Sequence, residues 1–143
     1  MTVEYLPSEE YESKYEELDL VGEGGYGKVF KVKPKNGEGV FASKHIKTIK
    51  KKEKKNAKAE IELLKTISSP FIITFIEAFE DEKHIIMITE YLDGGELFER
   101  VVEEDYQLVE SDCCHFIKQI CRGMEYLHSQ HIVHPDIEVR PPF

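Results

Sequence analysis

The sequence predicts an α+β fold: five antiparallel strands with one inserted helix, followed by further helices. Three observations carry this. A glycine-rich stretch, Gly22-Glu23-Gly24-Gly25-Tyr26-Gly27, joins two short runs of strand-forming residues. A helical spacing of apolar residues at 51–67 interrupts the strands. From residue 111 onward the apolar residues recur at steps of three and four.

The elements follow in order. Residues 1–14 are acidic and turn-prone and are expected to form a loose extension. Leu18-Asp19-Leu20-Val21 is the first strand, and Val29-Phe30-Lys31-Val32 is its return. Pro34 and the glycines up to Gly39 make a hairpin turn by composition. Residues 40–46 (Val-Phe-Ala-Ser-Lys-His-Ile) are the third strand. In the helix over 51–67, Ala57, Ile61, Leu64 and Ile67 share a face, and Ser68-Ser69-Pro70 ends it. Strands at 71–79 and 84–90 flank the turn Glu80-Asp81-Glu82-Lys83. Asp93-Gly94-Gly95 precedes a short helix at 96–102. The longest helix spans 111–129, with Ser111 as its expected cap and Cys113, Phe116, Ile117, Ile120, Met124 and Leu127 on one face. Cys113, Cys114 and Cys121 are expected in the core.

The chain has 143 residues, 19 Lys/Arg, 28 Asp/Glu and a formal charge of −9. It is long enough to bury a substantial core. No run approaches the roughly 20 apolar residues of a membrane span. The start, Met1-Thr2-Val3-Glu4, has neither a basic flank nor an apolar stretch, so no secretory signal is expected. The three cysteines form no C-x-x-C pair, which argues against a disulfide framework or a zinc site. A cytoplasmic protein follows, with no membrane and no nucleic-acid partner. Eight lysines crowd residues 44–58, but no aromatic residues interleave with them, and the overall charge repels phosphate. They read as the solvated start of a helix rather than a nucleic-acid patch.

A glycine-rich hairpin lets backbone N–H groups approach a polyphosphate. Alone, G-x-G-x-x-G also marks dinucleotide folds, but there the glycines open a helix, whereas here they join two strands. The pattern continues to Val29, Lys44 lies on the next strand in Ala42-Ser43-Lys44, and Glu60 lies on the helix after it. In this order and spacing the chain from about residue 15 to 137 resembles the N-terminal half of a protein kinase domain. Glu77-Ala78-Phe79-Glu80, the run Gly94-Gly95-Glu96-Leu97-Phe98-Glu99-Arg100, Tyr126-Leu127-His128 and Ile132-Val133-His134 bring it nearest to the calcium/calmodulin-dependent group. Within that group the myosin light chain kinase, titin and twitchin type is the nearest likeness.

The resemblance implies a kinase-like N-lobe over 15–92 and, over 93–143, the hinge exit with the first helices of a C-lobe. It implies ATP as cofactor. Lys44 would hold the α- and β-phosphates, and Glu60 would orient Lys44. Gly22, Gly24, Gly25 and Gly27 would cover the phosphates, while Val21, Val29 and Ala42 would sandwich the adenine. Thr89 would guard the back of the pocket, and the backbone of Glu90 and Leu92 would bind the adenine edge. Glu96 matches the acid near ribose and peptide substrate, with helix capping as the alternative. Asp136 is the catalytic base. A protein substrate and cytoskeletal association are further implications.

The catalytic loop departs from the family pattern H-R-D-x-K-x-x-N, reading His134-Pro135-Asp136-Ile137-Glu138-Val139-Arg140-Pro141. Pro135 replaces the arginine. Glu138 stands where a lysine would neutralise the γ-phosphate, and Pro141 stands where an asparagine would bind Mg²⁺. The 143 residues contain no Asp-Phe-Gly, so Mg²⁺ is a family expectation whose ligands are not found here. The primary reading is the ATP-binding part of a serine/threonine kinase, truncated and inactive alone. The rivals are a non-catalytic, pseudokinase-like fragment binding nucleotide or a partner, and a plain interaction fragment. The apolar face of the 111–129 helix would be covered by the remaining C-lobe or another protein.

Overall fold

In the computed structural model, residues 3–24, 27–103 and 107–134 are described. The chain divides into two compact units, residues 1–68 with 73–91, and residues 69–72 with 92–143.

The first unit is a six-stranded mixed sheet with a helix on each face. Its elements are β1 (Tyr5–Pro7), α1 (Ser8–Lys14), β2 (Tyr15–Gly24), β3 (Gly27–Pro34), β4 (Phe41–Lys47), α2 (Lys51–Thr66), β5 (Phe75–Glu80) and β6 (His84–Glu90). The strand order is β1-β5-β6-β4-β3-β2. The five expected strands are present and antiparallel to one another. The N-terminal segment corrects the expectation of five strands and a loose extension. β1 adds a sixth strand, parallel to β5, with Tyr5 opposite Ala78. Val3 and Tyr11 are buried, so apolar residues spaced among the acids anchor this segment. The strand expected from residue 71 begins at Phe75.

Alternation along the strands sorts the core into two faces. On one, Ile46, Ala78, Ile85 and Met87 pack with Val3 and with Ala57 and Ile61 of α2. On the other, Val32, Phe79, Ile86 and Ile88 pack with Tyr11 and Tyr15. Phe79 and Ile61 are fully buried, each contributing roughly 1.5–3 kcal/mol relative to an exposed side chain. At the start of α2 the Glu53 carboxylate accepts the Lys50 N–H at 2.9 Å. The lysines that open the helix are largely exposed, although Lys54 donates to the Asp81 carbonyl at 3.0 Å.

The second unit contains α3 (Leu97–Val102) and α4 (Glu110–Ser129). Ser111 lies inside α4 rather than capping it. The Asp112 carboxylate instead faces the Val109 N–H at 3.5 Å. Burial along α4 is confined to Gly123 and Leu127, near its C-terminal end. A Cβ on Gly123 would lie 3.4 Å from that of Phe71. Cys113, Cys114 and Cys121 are exposed free thiols, contrary to their expected core placement. Spacing identified an apolar face, but the packing reaches only its end. The helix stops in a Schellman motif: Ile132 N–H donates to the Leu127 carbonyl, His131 N–H donates to that of His128, and His131 has φ 60°.

Candidate nucleotide site

The register of the sheet gathers four of the expected site residues, Val29, Ala42, Lys44 and Thr89, on one face. Val29 lies opposite Lys44, and Ala42 lies opposite Thr89. Residues paired across strands share a face, and Ala42 and Lys44 lie at two-residue steps from Ile46 on the same face of β4, which packs toward α2. The Lys44 ammonium donates to the Glu60 carboxylate at 2.8 Å. The expected ion pair between the strand lysine and the helix glutamate is therefore formed.

The glycines divide into two kinds. Gly27 has φ +132°, and a Cβ there would fall 1.9 Å from the backbone oxygen of His45. The neighbouring backbone of β4 and the positive φ demand that glycine. At Gly22 and Gly24 an added Cβ would meet nothing within 4 Å. The packing of the described residues gives no reason for glycine there. A cavity of about 890 Å³ is bounded by Gly24, Gly27, Lys28, Lys44, Ala57 and Glu60, among others. It joins the hairpin to the ion pair but does not extend to Val21, Val29, Ala42 or Thr89.

Val21 is the extra residue at a bulge, since Leu20 pairs with Phe30 and Gly22 with Val29. Its side chain is about half exposed. Thr89 is buried, and its hydroxyl donates to the Glu90 carbonyl at 3.2 Å. Glu90 bonds twice to Thr74: its N–H donates to the Thr74 carbonyl, and its carboxylate accepts the Thr74 N–H at 2.6 Å. Leu92 and Glu96 belong to the second unit. Leu92 is exposed, and Glu96 precedes α3 without a side-chain capping bond. Gly25 and Asp136 lie outside the described residues, as do Pro135, Glu138 and Pro141.

The model of the protein kinase domain matches residues 15–140. The chain belongs to the protein kinase domain family. It is 38% identical over 120 residues to the smooth-muscle myosin light chain kinase of Gallus gallus, covering 84% of this chain and 6% of that protein. It is 37% identical to myosin light chain kinase family member 4 of Homo sapiens, covering 84% of this chain and 31% of the relative. Among solved structures, the twitchin kinase fragment of C. elegans, an autoregulated protein kinase with immunoglobulin domains, superposes with a TM-score of 0.87. That match has 28% identity and covers 96% of this chain and 30% of that one. The chain thus spans less than a third of each of these relatives and is similar to serine/threonine kinases of the myosin light chain kinase and twitchin type.

On the sheet face away from Lys44 lies a polar cluster that the sequence reading missed. The Tyr11 hydroxyl donates to the Glu17 carboxylate at 2.9 Å. His45 Nε2 lies 2.9 Å from the Ser43 hydroxyl and 3.3 Å from that of Tyr11. Burial lowers the His45 pKa and Glu17 opposes that, while His84 lowers it further. The spacing of Tyr11 and Tyr15, four apart among acids, was the available signal. No helix among the described residues is long and apolar enough to cross a membrane.

Proposed function

We propose that this chain is the ATP-binding portion of a protein serine/threonine kinase, with residues 15–92 as its N-lobe and 93–143 as the start of its C-lobe. The observation that carries the reading is the Lys44–Glu60 ion pair, on the sheet face that Lys44 shares with its cross-strand partner Val29, beside a hairpin whose Gly22 and Gly24 have open space. ATP, when bound, supplies the γ-phosphoryl group for a protein hydroxyl. Lys44 holds its α- and β-phosphates, and Glu60 keeps Lys44 in place. By the kinase likeness the backbone N–H groups of Gly22, Gly24, Gly25 and Gly27 would meet the phosphates. Val21, Val29 and Ala42 enclose the adenine, Thr89 closes the back, and Glu90 and Leu92 offer backbone partners. By the kinase likeness Glu96 would serve the ribose and the peptide, and Asp136 would accept the proton of the substrate hydroxyl. Mg²⁺ belongs to the family chemistry. A cytoplasmic setting with cytoskeletal association follows from the myosin light chain kinase likeness.

A non-catalytic nucleotide-binding role is a second reading, favoured by Glu138 and Pro141 in the loop. Competition against a fluorescent ATP analogue tests the site. Lys44→Met should weaken nucleotide binding about tenfold, while Lys51→Met, in the solvated run, should change it little. Equal losses would place phosphate on the basic run and defeat the assignment. Binding without transfer to a basic peptide supports the second reading. Transfer abolished by Asp136→Ala supports the first.

A further inference from the structure

Glu60 reaches Lys44 only if α2 is held at one height and one rotation. The pair itself does not supply this, because both side chains are substantially exposed and exposed ion pairs are too weak to fix a helix. A second set of contacts acts on the same two turns of α2. Val3 is buried in one cluster with Ala57 and Ile61, the residues on either side of Glu60. The Lys58 ammonium stands 4.3 Å from the ring centroid of Tyr5 and also pairs with the Glu80 carboxylate. Glu80 lies opposite Pro7 in the parallel β1–β5 register. Lys58 is therefore gripped between a ring on β1 and a carboxylate on β5, two residues from Glu60.

The Tyr5 hydroxyl is buried and has no hydrogen-bond partner among the described residues. Burial, with the nearby Glu62 and Glu80 carboxylates, pushes its pKa up to about 12. A desolvated hydroxyl with no partner is a cost to the fold. What Tyr5 contributes here is its ring, whose face attracts the cation.

We propose that Tyr5 is a positioning residue: with Val3 and Lys58 it holds α2 so that Glu60 meets Lys44. This rests on the nucleotide-site reading for its functional meaning, but its central measurement needs no nucleotide. Acylation of individual lysines by acetic anhydride, read by mass spectrometry on the 143-residue chain, reports whether the Lys44 amine is engaged. Tyr5→Ala should raise Lys44 reactivity relative to Lys51 at least threefold, and Lys58→Met, which leaves β1 in place, should do the same. Tyr5→Phe, which keeps the ring, should match the unaltered chain. Hydrogen exchange at Ile85–Ile88 of β6 should be unchanged in all three variants.

Unchanged Lys44 reactivity in Lys58→Met would overturn the proposal. So would a Tyr5→Phe variant as impaired as Tyr5→Ala, or β6 exchange rising in step with Lys44 reactivity, which would mark general loosening. In a parallel competition assay, Tyr5→Ala should lower nucleotide affinity severalfold, with little further loss when Lys44→Met is added. If the unaltered chain binds no nucleotide, the site reading fails, while lysine reactivity still decides the positioning role.

Discussion

Tyr15 donates its hydroxyl to one oxygen of the Glu77 carboxylate at 2.8 Å, while Lys14 takes the other oxygen at 2.9 Å. Two residues at the junction of α1 and β2 thus meet a single acid on β5. Tyr15 is buried, and burial together with Glu77 raises its pKa well above the usual phenol range. Its proton stays on the oxygen and serves as donor. Hydrogen bonds to charged groups contribute roughly 1.5–3 kcal/mol. Tyr15→Phe should therefore lower unfolding stability by about 2 kcal/mol in urea denaturation. A loss below about half of that would show that Lys14 and the aromatic packing hold this corner without the hydroxyl.

Acid should weaken the fold through His45. Burial lowers its folded-state pKa below the ordinary 6.5, so the unfolded chain takes up the proton first. The contribution of neutral His45 is complete above about pH 6.5 and declines as the pH falls from there through the folded-state value. Tyr11, Ser43, Glu17 and Phe30 surround the ring, with His84 acting electrostatically. Urea midpoints measured from pH 7.5 to 5.5 should fall more steeply for the unaltered chain than for His45→Gln. Parallel slopes would assign the acid sensitivity to another group.

His131 adopts the left-handed conformation that glycine favours, at the position after the α4 cap. An L-residue there is disfavoured by roughly 1 kcal/mol, partly offset by the greater freedom of glycine in the unfolded chain. His131→Gly should thus raise the stability of α4 by a few tenths to about 1 kcal/mol, seen as slower hydrogen exchange in its last turn. Faster exchange there would mean that the imidazole makes contacts outweighing its backbone strain.

These cases show what the sequence reveals and what it leaves hidden. The strand at His84–Glu90 and the helix at Lys51–Thr66 match the reading to within a residue, because a short continuous apolar run between turns and a 3.6-residue spacing are local signals. Lys44 and Glu60 were legible through the resemblance that the glycine hairpin, strand lysine and helix glutamate bear, in that order, to a protein kinase. The reason for Gly27 was not, since it lies in the backbone of His45, a residue on another strand. The N-terminal segment was misread because its acids dominate its composition while its anchors, Val3, Tyr5 and Tyr11, find their partners far along the chain. On α4 the spacing marked an apolar face, yet spacing carries no information about what covers Ile117 and Ile120.

The parallel register of β1 has a kinetic side. Tyr5 and its partner Ala78 are about seventy residues apart in the chain, and closing so long a loop is entropically costly before any contact rewards it. During synthesis β1 emerges well ahead of the strand it pairs with and must wait for β5 and β6 to form their hairpin. Until it docks, the outer edge of β5 carries unpaired backbone groups, a ready template for another chain. β1 is thus made before the strand whose edge it covers, and the interval until it docks is when that edge most needs protection from neighbouring chains.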